Sequence, residues 1–188
     1  MTRRWPWWFV AAGGAVMATL WPVYISLHGP TSFDEEGRLF GRGPRFWGAM
    51  MEGPSSLMIA AGLLALLPGI WLLLGRAARF GYVLVLVSLV IPGVFDLMII
   101  ATAPPLMVPV EAVGLALIAS TGSRLHLSTR VVFAVMAAML AVAFATTLVP
   151  VAQWDAVEGF RYTGLLVNVG VGIGWVVVGI TEAARPRR

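Results

Sequence analysis

Cysteine is absent from this chain, and so is lysine; the thirteen basic residues are all arginine. The first absence excludes disulfides, a thiolate nucleophile and cysteine-ligated metal sites. The second excludes a Schiff base, and with it a retinal-type chromophore. Histidine is scarce: His28 and His126 fall at opposite ends of apolar segments, in loops, where they make a poor pair of haem or metal ligands. No metal and no cofactor are expected. Charge is scarce too, at 12% of residues against 59% apolar, where a soluble domain has about 25% charged and 45–50% apolar. The composition is that of an integral membrane protein. The basic balance does not point to nucleic acid, because the arginines sit at the boundaries of apolar segments, their ordinary place in a membrane protein; the partners expected are membrane lipids and an apolar small molecule.

About 20 apolar residues span a bilayer, and six segments reach or approach that length: Trp5–Leu27, Pro54–Leu74, Phe80–Thr102, Leu106–Thr121, Val131–Pro150 and Tyr162–Thr181. The fold expected is all-α, a single bundle of six transmembrane helices over residues 1–188. Arg3, Arg4, Arg76, Arg79, Arg124, Arg130, Arg185, Arg187 and Arg188 then fall on one side. The other side carries Asp34, Glu35, Glu36, Glu52, Asp155 and Glu158 with four arginines. The positive-inside rule puts both termini in the cytoplasm of a multi-pass plasma-membrane protein. Thr2-Arg3-Arg4 before an apolar run is also how a secretory signal begins, but this run is too long for an h-region and no A-x-A site follows, so the first helix is expected to be retained.

Residues 28–53 form the long outer loop. Ser32-Phe33-Asp34-Glu35 fits a capping box, and Gly37, Gly41 and Gly43 limit any helix there to a few turns. With Phe33, Leu39, Phe40, Phe46 and Trp47 the loop reads as an interfacial segment or a lid over the bundle's mouth.

Two acids lie inside apolar runs. Asp96 is within the third segment and Glu111 opens the fourth, separated by the break Ala103-Pro104-Pro105. A charge at the bilayer centre costs about 2.5–3.5 kcal/mol on insertion scales, so an intramembrane acid is a functional-site hypothesis by default. If the break is a turn centred near Ala103–Pro104, both acids lie roughly 11 Å below it at 1.5 Å per residue. Two carboxyls sharing one low-dielectric site do not both ionise, and a carboxylic acid beside a carboxylate is a unit of acid/base chemistry. Glu111 has a second explanation as a helix-start residue favoured by the macrodipole. The same explanation covers Glu52 before Pro54 and Glu158 before the sixth segment; Asp96 has none.

The cytoplasmic halves of the segments hold almost nothing polar, while the outer halves also carry Tyr24, Ser26, Ser55, Ser56, Thr146, Thr147, Tyr162 and Asn168. Conducting paths are polar across the whole span, so half a path argues against a channel or conduit and for a pocket open to the outer face or leaflet. Asp96 and Glu111 are the candidate catalytic residues. Trp21, Tyr24, Trp47, Glu52, Phe95, Tyr162 and Asn168 are candidates for binding substrate, with Arg38, Arg42 and Arg45 spaced to share one face and grip an anion in forked geometry. Ordinary roles compete: an aromatic belt for the tryptophans and tyrosines, and pairing with Asp34, Glu35, Glu36 or lipid phosphates for the arginines. Gly170 and Gly174 form a GxxxG pattern, a close-packing face inside the bundle or in a homo-oligomer.

Pro109-Val110-Glu111 resembles the start of the P-x-E-E/D motif of membrane lycopene cyclases, with Ala112 standing where the second acid would be. The six-segment size, inward N-terminus and long first outer loop are similar in architecture to the vitamin-binding S components of ECF transporters. Three readings follow. One is a cofactor-independent acid/base enzyme that cyclises or isomerises an apolar, isoprenoid-like substrate, with Asp96 the acid and Glu111 the base. The others are a substrate-binding membrane subunit or receptor, and a structural or assembly subunit.

Overall fold

A computed structural model describes residues 4–28, 38–99, 105–122, 124–148 and 165–185. Among them there are helices and no strands: α1 (Trp5–His28), α2 (Pro44–Leu73), α3 (Arg76–Ile99), α4 (Val108–Thr121), α5 (Leu127–Leu148) and α6 (Gly172–Ala184). A 3-10 turn, Pro105–Met107, leads into α4 and a π-helical stretch, Leu165–Val171, leads into α6. Four helices, α1, α2, α3 and α5, are long and apolar enough to cross a membrane, and α4 and α6 are shorter apolar helices. Alone, the 14 residues of α4 rise about 21 Å; the 3-10 turn before it adds about 6 Å.

The helices alternate in direction and close into a ring, each packed on its sequence neighbours and α6 on α1. Arginines line one end. There Arg79 Nε donates to the Trp71 carbonyl at 2.9 Å and Arg130 Nε to that of Ala119 at 2.7 Å. These satisfy terminal carbonyls of α2 and α4, whose dipoles place partial negative charge at that end. Glu182 of α6 accepts from Thr129 of α5 and pairs with Arg185 at 2.9 Å.

Burial divides α3 by phase. Ala78, Tyr82, Val85, Leu89, Gly93 and Asp96 face inward, while Phe80, Val83, Val87, Ile91, Val94 and Met98 are exposed. The buried side is apolar but for Asp96, for Ser88, whose hydroxyl donates to the Val85 carbonyl at 2.9 Å, and for the Tyr82 hydroxyl, which donates to the Leu63 carbonyl at 2.6 Å. With apolar residues on both faces, close approach rather than hydrophobicity selects the inner face. A methyl group added at Gly14 would lie 2.6 Å from the Gly172 carbonyl oxygen, and one at Gly81 2.6 Å from that of Gly114. Gly170 and Gly174, the stripe offered by the sequence to a second copy, face Met139 and Met136 of α5 instead.

Several boundaries differ from the sequence expectation: α3 begins at Arg76 rather than Phe80 and α5 at Leu127 rather than Val131. Helix α2 begins at Pro44, ten residues before Pro54, so residues 44–53 of the expected loop are helical and Pro54 is interior. The final described helical stretch, Leu165–Ala184, continues three residues past the expected end at Thr181.

Candidate functional site

The early start of α2 changes Glu52 from a helix-start residue into one well inside a helix. Its Oε1 accepts from Trp21 Nε1 of α1 at 3.1 Å and from Asn168 Nδ2 in the π-helical stretch at 2.9 Å. The Asp96 carboxyl of α3 is near enough for its charge to act on that of Glu52. The backbones meet at this level too, Gly53 lying against Gly93 and Leu97 of α3. Asp96 is 1% exposed. The carboxyl that joins Asp96 therefore comes from Glu52, and the chain's single asparagine is spent on holding it.

An irregularity stands beside every member of this cluster. Pro22 follows Trp21, Pro54 lies two residues past Glu52, and Pro92 lies one turn before Asp96; all three prolines are inside helices. Asn168 is in the π-helical stretch. Interior proline removes one ladder hydrogen bond and displaces the carbonyl of the preceding turn, and π-bulges recur at functional sites. Four helical segments thus interrupt their own hydrogen bonding around one polar centre, the construction used where membrane helices bind polar groups.

A small aromatic cluster roofs the centre. Trp21, Tyr24 and Met51 are buried together, with Leu39 and Trp47 packed against them; the Trp21 and Tyr24 rings meet edge to face at 5.9 Å. Trp47 Nε1 donates to the Leu39 carbonyl at 3.0 Å, fixing the segment before α2 over the roof.

Glu111 lies elsewhere. Gly114 sits across from Gly81 and Val85, so Glu111, one turn back along α4, stands level with α3 just past Val85. Asp96 is about ten residues further on, on the order of 15 Å along the axis. The equal-depth placement of Asp96 and Glu111 assumed a symmetric turn; the observed register is offset instead. Glu111 keeps its expected first-turn position. It faces the Trp175 indole N–H of α6, yet no hydrogen bond closes, and Glu111 Oε1 and Trp175 Nε1 are both buried without a partner among the described residues. A cavity nearby, of about 20 Å3 and lined by Trp175, Tyr82, Phe133, Thr129 and Glu182 among others, has room for a water molecule and none for a substrate.

The remaining candidates separate. Phe95, one residue before the inward Asp96, points outward and is 41% exposed. The arginines do not share a helix face, because α2 starts after two of them: Arg38 is exposed outside any helix and Arg42 lies in a turn with its guanidinium 5.0 Å from the Phe46 ring centroid. The Arg45 side chain, Tyr162 and the Ser32–Glu35 capping box lie outside the described residues. Trp175 was not singled out from sequence, and no pattern marks it apart from other buried tryptophans. No protein-family model, no curated protein and no solved structure matches the chain.

Proposed function

We propose that this chain is an integral membrane protein of six spans, with both termini on the cytoplasmic side, and that Glu52 and Asp96 form an acid/base centre acting on an apolar substrate from the outer leaflet. The observation that carries the reading is the Glu52 carboxyl held by Trp21 and Asn168 beside Asp96. Two carboxyls so placed in a low dielectric share one proton as a unit. Cyclisation or isomerisation of an isoprenoid-like substrate needs a proton delivered to an alkene carbon or an epoxide oxygen and one removed from a carbon, with no electron acceptor. Asp96, buried on α3, is the acid. Glu52 takes the base role first assigned to Glu111, its charge steadied by two N–H donors. The roof of Trp21 and Tyr24 presents aromatic faces to a developing carbocation.

Such a reaction changes structure without changing mass. Neutral lipids extracted from cells making the native chain are expected to contain a species of unchanged mass and altered retention by liquid chromatography–mass spectrometry. It is expected to be missing with Asp96→Asn and with Glu52→Gln. Identical extracts from native and Asp96→Asn cells overturn the enzymatic reading. The aromatic roof supports a second reading, a membrane subunit that binds a small molecule for a transporter; it predicts that a ligand and partner chains leave the membrane together with this protein in mild detergent.

A further inference from the structure

At the far end, away from the arginine-lined one, residues 39–42 form a tight hairpin turn. Leu39 and Arg42 exchange both backbone hydrogen bonds at 3.0 Å, and the two central residues, Phe40 and Gly41, have φ of 51° and 76°. This is the pattern of a type I′ turn, whose central positions favour asparagine, aspartate and glycine. Phenylalanine at positive φ is a genuine outlier. Its ring is not used to fill the core. It meets Trp47 edge-on with centroids 6.2 Å apart and is still 82% exposed. Arg38 and Arg42 flank it, both exposed.

A strained residue is kept where the surroundings give something back, and water gives nothing back to a phenyl ring. A bilayer interface does: aromatic rings rest at headgroup depth, and arginines beside them reach the phosphates. The turn also continues an apolar exposed surface. Val23 and Leu27 on α1, and Met98 and Ile99 on α3, are exposed at the same end of the bundle. We propose that the Phe40 turn is an interfacial anchor, seated in the headgroup layer of the outer leaflet, with Arg38 and Arg42 on lipid phosphates. The proposal rests on the membrane reading above. Because Trp47 binds Leu39 and both pack on the roof, the anchor ties the cover of the Glu52 centre to the lipid surface from which an apolar substrate would come.

The absence of cysteine makes the test direct, since any introduced thiol is unique. Nitroxide labels at Phe40→Cys, Arg38→Cys, Val23→Cys and Arg124→Cys, in full-length chain reconstituted into phosphatidylcholine–phosphatidylglycerol vesicles, are compared for collision with oxygen and with a water-soluble nickel chelate. The expected oxygen-to-nickel ratio is several-fold higher at position 40 than at Arg124→Cys, with Arg38→Cys between them; that position repeats the measurement on the same turn if Phe40→Cys does not fold. A position-40 label as open to nickel as that at Arg124→Cys, with Val23→Cys in lipid, overturns the anchor and leaves the membrane reading intact. A label at 40 shielded from both reagents overturns it in favour of a protein partner. Val23→Cys in water overturns both.

Discussion

Glu52, half-buried, and Glu111, buried, are glutamates on alternate helices of one ring, and their surroundings are opposite. Glu52 receives two N–H donors on one oxygen and has a second carboxyl beside it. Glu111 faces a single indole N–H with which it makes no hydrogen bond, among apolar side chains. The first arrangement joins α1, α2, α3 and the stretch leading into α6 at one point. The second joins α4 to α6 and leaves two polar atoms unsatisfied. Burial alone therefore does not single out a carboxyl that the fold is arranged to hold. What separates the two is how much of the fold has been arranged to receive the charge, and at Glu52 that includes three interior prolines and a π-helical stretch.

The largest expected effect follows from removing each carboxyl. Glu52→Leu strands the Trp21 and Asn168 donors in a buried site, each worth about 1–3 kcal/mol when orphaned, so a loss of roughly 2–5 kcal/mol is expected in unfolding followed by circular dichroism in mild detergent. Glu52→Gln keeps an acceptor oxygen and recovers most of that loss. Glu111→Leu removes a group whose Oε1 is buried without a partner among the described residues. Replacing poorly satisfied buried charge by an apolar side chain of similar size is often neutral or stabilising, so its stability is expected to stay within about 1 kcal/mol of the native chain or to rise. Equal losses for the two leucine variants would break the comparison.

The Glu52 centre can also be disturbed without touching it. Trp21 and Asn168 reach Glu52 because α1 and α6 lie close, at Gly14 on Gly172. Gly14→Val forces that contact apart. Overpacking of this kind costs about 1–3 kcal/mol, and the separation should lengthen both hydrogen bonds to Glu52. The check is Trp21: its fluorescence in a background with the other tryptophans replaced is expected to shift as the indole N–H loses its carboxylate. An unchanged spectrum would show that the centre does not depend on this contact.

Much of the architecture was legible in the sequence and part of the site was not. Apolar run lengths mark the six helices, and Asp96 stands out because nothing at a helix end accounts for it. Pro54 misleads, since proline at the first turn and proline inside a helix look alike in sequence. The preceding Phe46-Trp47-Gly48-Ala49-Met50-Met51 run is as compatible with helix as with a lid. Once Pro54 is taken as the start, Glu52 becomes terminus chemistry and the centre loses its hub. The pairing of Asp96 with Glu111 failed for a different reason. The inner and outer stripes of α3 are equally apolar, so facing and register are set by glycine contacts such as Gly81 on Gly114, which the sequence does not reveal as partners. The nearness of Trp21 to Pro22, Glu52 to Pro54 and Asp96 to Pro92 was visible throughout, and it is the signal that would have drawn the three together.

The smallest effect sharpens the comparison most cleanly. Trp21 and Trp175 are both nearly fully buried indoles, each beside a glutamate. Replacing either by phenylalanine removes the same ring volume and the same N–H. At Trp21 the lost N–H was bonded to a carboxylate; at Trp175 it had no hydrogen-bond partner among the described residues. The shared volume loss cancels in the difference, which isolates the hydrogen bond. Trp21→Phe is expected to be less stable than Trp175→Phe by about 1–2 kcal/mol, the range for a bond to a charged group less what Asn168 still supplies. If Trp175→Phe proves as costly, Glu111 does bond the indole in the folded protein, and it becomes a second satisfied carboxyl at another level of the ring rather than a group the fold merely tolerates.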